Sequence, residues 1–130
     1  MDSIAPQWIV DHLEETLTFY VDLLGFQVEW KGDLFAIISK GKVTLMLRQL
    51  KSSNLKRPNR IPFLESGWHT KGPEAWDAYI WMEEVEDFYA EIKQKGVAVI
   101  KQLTHTDYGN LDFEIEDNNG YILCFGKRLG

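Results

Sequence analysis

The sequence predicts an α+β protein built from two tandem βαβββ modules. Two observations favour this fold class. First, a strand-like segment, an amphipathic helix ending at a glycine and three further strand-like segments follow one another twice along the chain. Second, the two helices begin about 72 residues apart, at His12 and Glu84. Recurrence of a unit of this size within 130 residues is typical of an internal duplication.

The first module spans about residues 1–50. Its helix is predicted over LEETLTFYVDLLGF, where four apolar residues recur at helical spacing and two aromatic residues widen the stripe: Leu13, Leu17, Val21 and Leu24, with Phe19 and Tyr20. Glu14 and Glu15 lie in the first turn, where the helix dipole favours acidic side chains. Gly25 is placed to end the helix. The segments QVEW, LFAIIS and VTLMLRQ then predict three strands.

The second module spans about residues 75–130 and repeats this plan. AWDAYIWM predicts its first strand. EEVEDFYAEIKQKG predicts a helix that ends at Gly96 and has one apolar face: Val85, Phe88, Tyr89 and Ile92. VAVIKQL, LDFEIE and YILCFG predict three strands. Asn118, Asn119 and Gly120 predict the hairpin turn before the last one, because Asn and Gly tolerate positive φ.

A polar segment rich in Pro, Gly and Asn links the modules over about residues 51–74. It is too long for a plain connection, and loops of this length often cover a binding site. The alternative is a mobile surface loop. With its 130 residues, the chain is expected to form one domain around a single core.

Composition limits the classes of partner. The formal net charge of -6 argues against a nucleic-acid partner, because phosphate binding needs clustered Lys and Arg. A single cysteine forms no internal disulfide, so nothing requires an oxidising compartment. No segment has the roughly 18 consecutive apolar residues of a membrane helix, and the N-terminus does not resemble a signal peptide. We therefore expect a soluble, cytoplasmic protein.

Both helices, LEETLTFYVDLLGF and VEDFYAEIKQKGV, and the terminal DNNGYILCFG resemble the vicinal oxygen chelate superfamily. This group contains glyoxalase I, extradiol dioxygenases, fosfomycin-modifying enzymes and bleomycin resistance proteins. The resemblance covers nearly the whole chain and implies that each module forms a cup-shaped mixed sheet. The two cups would face each other around a central cavity.

The resemblance also implies where an enzyme of this superfamily would hold its divalent metal. The corresponding positions are Ala5, Met46, Asp77 and Cys124. Alanine has no donor atom, and a methionine thioether suits these ions poorly. We therefore expect no metal, no other cofactor and no catalytic residue. A lone cysteine usually behaves as a small hydrophobe, and no spacing places a histidine beside Cys124 to activate its thiol.

The resemblance is strongest to bleomycin resistance proteins, through PEAWDAYIWMEEVEDFYAEIKQKGV. It implies a homodimer that binds an aromatic, partly cationic small molecule without modifying it. Strand alternation assigns Asp112 to the cavity side, and Trp8 and Trp76 to the helix side. The predicted ligand-binding residues are Met46, Arg48, Trp68, Asp77, Tyr79, Trp81, Glu114 and Cys124. The alternatives are a metal-dependent lyase or dioxygenase, and a dimerisation or partner-binding module with an unused cavity.

Overall fold

The structure, a computed structural model, describes residues 1–50, 57–72 and 74–130. The chain divides into two compact units, Met1–Lys56 and Arg57–Gly130. The first unit contains, in order, β1 (Gln7–Val10), α1 (Leu13–Leu17), a π-helical segment (Thr18–Leu23), β2 (Gln27–Lys31), β3 (Phe35–Lys40) and β4 (Val43–Gln49). The predicted βαβββ order of the first module is confirmed.

The four strands of the first unit form one mixed sheet in the order β1-β4-β3-β2. β1 runs parallel to β4, and the other two pairs are antiparallel. Alternate residues of β3 and β4 are buried in the core of the unit: Ala36, Ile38, Leu45 and Leu47. This alternation fixes which side chains of each strand point away from that core.

The first helix departs from its predicted geometry after Leu17. The next six residues are π-helical, so the apolar stripe shifts. Tyr20 is fully buried, as its place in the stripe predicts, whereas Val21 of the same stripe is only half-buried. The Tyr20 hydroxyl accepts a hydrogen bond of 3.0 Å from the Trp8 indole N–H. The expected core position of Trp8 is confirmed.

The second unit repeats the plan after two short helices. It contains α2 (Arg60–Ser66), a 3-10 helix (Trp68–Lys71), β5 (Ala78–Trp81), α3 (Val85–Gln94), β6 (Val99–His105), β7 (Asn110–Glu116) and β8 (Ile122–Arg128). Its sheet has the order β5-β8-β7-β6, which matches the first unit strand for strand. The α+β class and the tandem βαβββ order are confirmed. In the described part of the chain, no helix has the length and apolar character needed to cross a membrane.

One face of the second sheet packs against α3. The Phe88 ring of α3 lies 5.0 Å from the Phe125 ring, and Phe113 stacks on Phe125 at 5.4 Å. Val85 and Ile92 of the same helix are fully buried. The predicted apolar face of this helix is thereby confirmed, and Gly96 ends it with φ 79°.

The segment predicted as a loop carries the two short helices instead. Arg60 forms an ion pair with Glu74, and the Arg57 side chain donates to the Ala75 carbonyl at 2.6 Å. These contacts join the start of the second unit to the residues that precede β5. Residues 51–56 and Pro73 of the predicted linker lie outside the described residues. That the linker covers a site stays a prediction.

Candidate functional site

The face of the second sheet turned away from α3 carries the polar side chains. Phe113 and Phe125 point toward α3, so their neighbours Asp112, Glu114 and Cys124 point the other way. The strand register places these side chains side by side. Across β5, β8 and β7, one row of paired residues is Tyr79, Cys124 and Glu114. The next row on the same face is Trp81, Gly126 and Asp112. We call this surface the polar face; the sequence assigned these side chains to it correctly.

Two buried carboxylates on the polar face share one ammonium group. Asp112 has no exposed surface and Glu114 is 3% exposed. The Lys101 Nζ forms an ion pair with Asp112 and a second with Glu114 at 3.1 Å. Burial lowers the pKa of Lys101, but its hydrogen bonds to both carboxylates outweigh burial and leave that pKa raised overall. The three groups together carry one formal negative charge.

Asp112 also fixes two tyrosines. Its Oδ2 accepts a hydrogen bond from the Tyr79 hydroxyl at 3.1 Å and another from the Tyr108 hydroxyl at 2.5 Å. The Asn110 side-chain amide in turn donates to the Tyr79 hydroxyl at 2.9 Å. Burial and the nearby Asp112 carboxylate raise the pKa of Tyr79 to about 12, so its hydroxyl stays protonated at neutral pH. Both phenol protons thus point toward the buried Asp112 carboxylate, and these hydrogen bonds fix the positions of the two rings.

Four aromatic rings form a connected aromatic shelf on this face: Trp76, Tyr79, Trp81 and Tyr108. Tyr79 lies 4.7 Å from Trp81 and 5.1 Å from Trp76 between ring centroids. Trp81 is 54% exposed and Tyr108 is 51% exposed. Rings that contact one another yet remain open to solvent offer stacking area that is already ordered.

The helix-side position expected for Trp76 is wrong. Its ring is partly exposed and contacts Tyr79 and Tyr108, which both belong to the aromatic shelf. The expectation extended strand alternation to residue 76, but β5 begins only at Ala78. The backbone before the strand does not keep the two-residue period, so alternation does not apply there.

Gly126 makes room for this cluster. A Cβ atom at that position would overlap the Tyr79 hydroxyl and lie 2.6 Å from the Asp112 Cβ. The hydroxyl therefore occupies the space that a side chain would fill on β8. A residue without a side chain is required here for close approach, since the Gly126 backbone lies in an ordinary strand.

Cys124 lies fully buried within the same face. Burial, followed by the Asp112 carboxylate, raises the pKa of its thiol above the usual range, while Lys101 opposes this only in part. A catalytic thiolate needs the opposite environment, with a neighbouring cation or histidine that lowers the pKa. Cys124 has the character of a small hydrophobic residue at this position.

We predict that Cys124 is unreactive in the folded protein. Almost no thiolate forms at pH 8, because the pKa of the buried thiol is raised. Titration with a chromogenic disulfide reagent at pH 8 is expected to give no reaction in native buffer and one equivalent in denaturant. Rapid stoichiometric labelling of the native protein would contradict this environment.

Asp77 holds the start of the second sheet together. Its Oδ2 accepts hydrogen bonds from the Ile122 backbone N–H at 2.8 Å and from the Arg57 Nε at 2.5 Å. Its side chain is 2% exposed, and burial raises the pKa of this carboxyl despite both donors. Asp77 is thus engaged in contacts within the unit, and its predicted ligand contact stays a prediction.

The other predicted residues are distributed between the two units. Met46 is half-buried on β4 of the first unit. Arg48 is exposed on the same strand, and its guanidinium lies 4.7 Å from the Phe35 ring centroid. Trp68 lies in the 3-10 helix of the second unit, where it is 56% exposed and contacted by Lys71. Tyr79, Trp81, Glu114 and Cys124 are brought together on the polar face.

Sequence reasoning missed several residues of this site. Lys101, Tyr108 and Asn110 complete the hydrogen-bonded cluster, and Trp76 completes the aromatic shelf. Strand alternation along VAVIKQL could have assigned Lys101 to the polar face. However, β6 has two register shifts, which interrupt the two-residue alternation of its side chains. Tyr108 lies in the turn between β6 and β7, where no periodic signal exists.

A comparison with known protein families identifies the chain. The model of the Glyoxalase/Bleomycin resistance protein/Dioxygenase superfamily matches residues 2–125. The chain belongs to this superfamily. None of the curated proteins matches it significantly.

Solved structures share the fold of this superfamily member. The bleomycin-binding protein complexed with bleomycin has a TM-score of 0.71 at 15% identity, over 98% of this chain and 99% of that one. A glyoxalase/bleomycin resistance protein/dioxygenase from Alicyclobacillus acidocaldarius has a TM-score of 0.75 at 16% identity, over 99% and 92%. TioX from Micromonospora sp. ML1 has a TM-score of 0.74 at 12% identity, over 99% and 100%. At such identities the likeness concerns the fold alone.

The residues at the four metal positions implied by the superfamily do not fit a divalent ion. Ala5 has no donor atom, and Met46 offers only a thioether. Only one oxygen of Asp77, Oδ2, is bound by Arg57 and the Ile122 N–H, while Oδ1 is buried without a hydrogen-bond partner in the described part of the chain and is a single donor atom; Cys124 would have to lose a proton that its raised pKa retains. Among the described residues, no group of three His, Cys, Asp or Glu side chains is placed to hold a metal.

We predict less than about 0.1 equivalent of Zn, Ni, Fe or Mn per chain, because this donor set offers too few suitable ligands. Elemental analysis after purification without a nickel column measures it. About one equivalent of metal per wild-type chain that is absent from Asp77→Ala would contradict the conclusion that these residues do not fit a divalent ion.

Proposed function

We propose that this protein binds an aromatic, partly cationic small molecule on the polar face and sequesters it without chemical change. The observation that carries the proposal is the exposed aromatic shelf beside a carboxylate pair that, among the described residues, is partly neutralised by the single ammonium group of Lys101. The shelf supplies the stacking surface and the carboxylate pair supplies the charge.

The aromatic preference rests on the ordered state of the rings. Tyr79 and Tyr108 are held by Asp112, and Trp76 and Trp81 pack against Tyr79. A ligand that stacks on such rings loses little affinity to side-chain ordering, because the rotamers are already fixed. Aromatic pairs contribute about 0.5–1.5 kcal/mol beyond the area that they bury.

The cationic preference rests on local and overall charge. Asp112, Glu114 and Lys101 together leave one negative charge uncompensated inside a poorly solvated cluster. An electrostatic interaction is stronger in such surroundings than in water. The chain as a whole has a net charge of -6, which favours approach of a cation rather than an anion.

The superfamily and its structural neighbours support this proposal. One neighbour with the same fold is a bleomycin-binding protein solved with bleomycin. We further propose a cytoplasmic homodimer, as the resemblance to bleomycin resistance proteins implies. Met46, Arg48 and Trp68 are further proposed ligand-binding residues, as the same resemblance implies.

A thermal-shift screen against glycopeptide antibiotics, aromatic amines and neutral aromatic analogues tests the proposal. A ligand bound only by the native state must raise the melting temperature, and we expect this for the amines but not for their neutral analogues. Mass spectrometry of each hit after overnight incubation is expected to recover the compound unchanged. Conversion of the compound would instead favour the lyase or dioxygenase alternative, and no shift across the panel would contradict the proposal.

A further inference from the structure

The polar face has opposite charges at its two ends. Along β8, Cys124, Gly126 and Arg128 point to the same side, because strand side chains alternate. Their partners on β7 are Glu114, Asp112 and Asn110 respectively. Glu114 therefore lies at one end of this row, Asp112 in the middle and Arg128 at the other end. At a rise of roughly 3.3 Å per residue, the Cα atoms of residues 124 and 128 are about 13 Å apart.

Arg128 is arranged to bind a planar anion. Its guanidinium carbon lies over the Trp81 ring of the shelf, 5.4 Å from the ring centroid. Within the described residues no carboxylate pairs with it, whereas the neighbouring Lys127 is bound to Glu86 at 2.9 Å. A guanidinium stacked in this way keeps its N–H edge free for bidentate contact with a carboxylate or phosphate.

A shallow depression adjoins this group. It has a volume of about 270 Å³ and is lined by Trp81, Met82, Glu83, Lys127 and Arg128. The shelf thus continues past Trp81 into a recess with a free guanidinium at its wall. The lining also contains the acidic Glu83, which reduces the positive potential of the recess. An oxyanion would therefore be bound by bidentate hydrogen bonds from the Arg128 guanidinium rather than by a large positive potential.

We propose that the ligand of the polar face is dipolar, with an aromatic body on the shelf, an amine toward Asp112 and Glu114, and an oxyanion at Arg128. This inference rests on the proposed function and narrows its ligand class from an aromatic cation to an aromatic zwitterion. The Arg128 subsite is the new element, and Trp81 serves both parts because the ligand and the guanidinium share its ring.

A pair of matched probes tests the inference. The zwitterion 6-(aminomethyl)naphthalene-2-carboxylate and its neutral-ended carboxamide differ only in the anion. We expect the wild-type protein to bind the carboxylate about fivefold more tightly, which is the upper range for an exposed ion pair with bidentate geometry. Tryptophan fluorescence quenching at low ionic strength measures both affinities.

Variants then assign the preference to Arg128. Arg128→Gln is expected to abolish the fivefold ratio while the carboxamide binds as before, and Arg128→Lys to restore only part of it. Lys93→Gln is the matched control, because Lys93 also lies over a ring, that of Tyr89 on α3. It removes one charge on the helix side and is expected to leave the ratio unchanged.

The outcomes separate the inference from the proposed function. If the carboxamide binds and the wild-type ratio is near one, the oxyanion subsite is wrong and the aromatic-cation site stands. A ratio that survives in Arg128→Gln contradicts the assignment to Arg128. If neither probe binds at millimolar concentration, the result contradicts both the aromatic-cation site and its oxyanion subsite.

Discussion

Replacing Lys101 with methionine is expected to destabilise the protein by about 2–3 kcal/mol at pH 7. Removal of one partner from a buried ion pair typically costs about 3–5 kcal/mol, and the partial exposure of Lys101 reduces this. The substitution leaves Asp112 and Glu114 close together without their cation. Urea unfolding followed by circular dichroism measures the loss.

The pH dependence of this loss has a definite sign. The pKa of Lys101 is raised in the fold, so its contribution is fully present at neutral pH and is lost only above the ordinary value of 10.5. The deficit of Lys101→Met relative to the wild-type protein is therefore expected to shrink only as the pH rises above 10.5. Lys95→Met is the matched control, since its exposed pair with Glu91 contributes less than about 0.5 kcal/mol. Equal effects of both substitutions would contradict the buried cluster.

Replacing Phe88 with alanine is expected to cost on the order of 2–5 kcal/mol, which is the largest loss anticipated here. Phe88 is 5% exposed and packs against Phe113 and Phe125 beneath α3. Trp81→Ala changes a larger ring that is 54% exposed, so its cost is expected to stay below about 1 kcal/mol.

Chemical denaturation of the two variants compares these costs directly. The assignment of the two sheet faces requires Phe88→Ala to have a much lower free energy of unfolding than Trp81→Ala. If Trp81→Ala unfolds as readily as Phe88→Ala, Trp81 belongs to the core and the facing of β5 is reversed.

Periodicity was sufficient to predict most of the fold. Helix α3 follows the apolar face that the sequence indicates, and the alternation of LDFEIE correctly separates Phe113 from Asp112 and Glu114. These predictions succeed because burial on one side of a helix or strand leaves a regular imprint on the sequence. In addition, β7 pairs with β8 without a register shift, so the alternation along β7 is regular.

Contacts that involve turns, irregular helices or strands with shifted register could not be predicted in this way. Tyr108 bonds to Asp112 from a turn, and Lys101 reaches the same carboxylate from a strand with shifted register. Val21 is only half-buried because the first helix becomes π-helical after Leu17, a feature without a periodic signal. Arg128 is recognisable only once its position over Trp81 is known.

The affinity of Trp81→Ala for a compound that raises the melting temperature of the wild-type protein tests the central claim most directly. The proposal predicts at least about tenfold weaker binding, from lost stacking and lost apolar area on the shelf. Tyr89→Leu is the control, because its ring packs on Phe113 at the α3 side of the same sheet and should not affect binding. Wild-type affinity in Trp81→Ala would contradict a ligand site on the aromatic shelf.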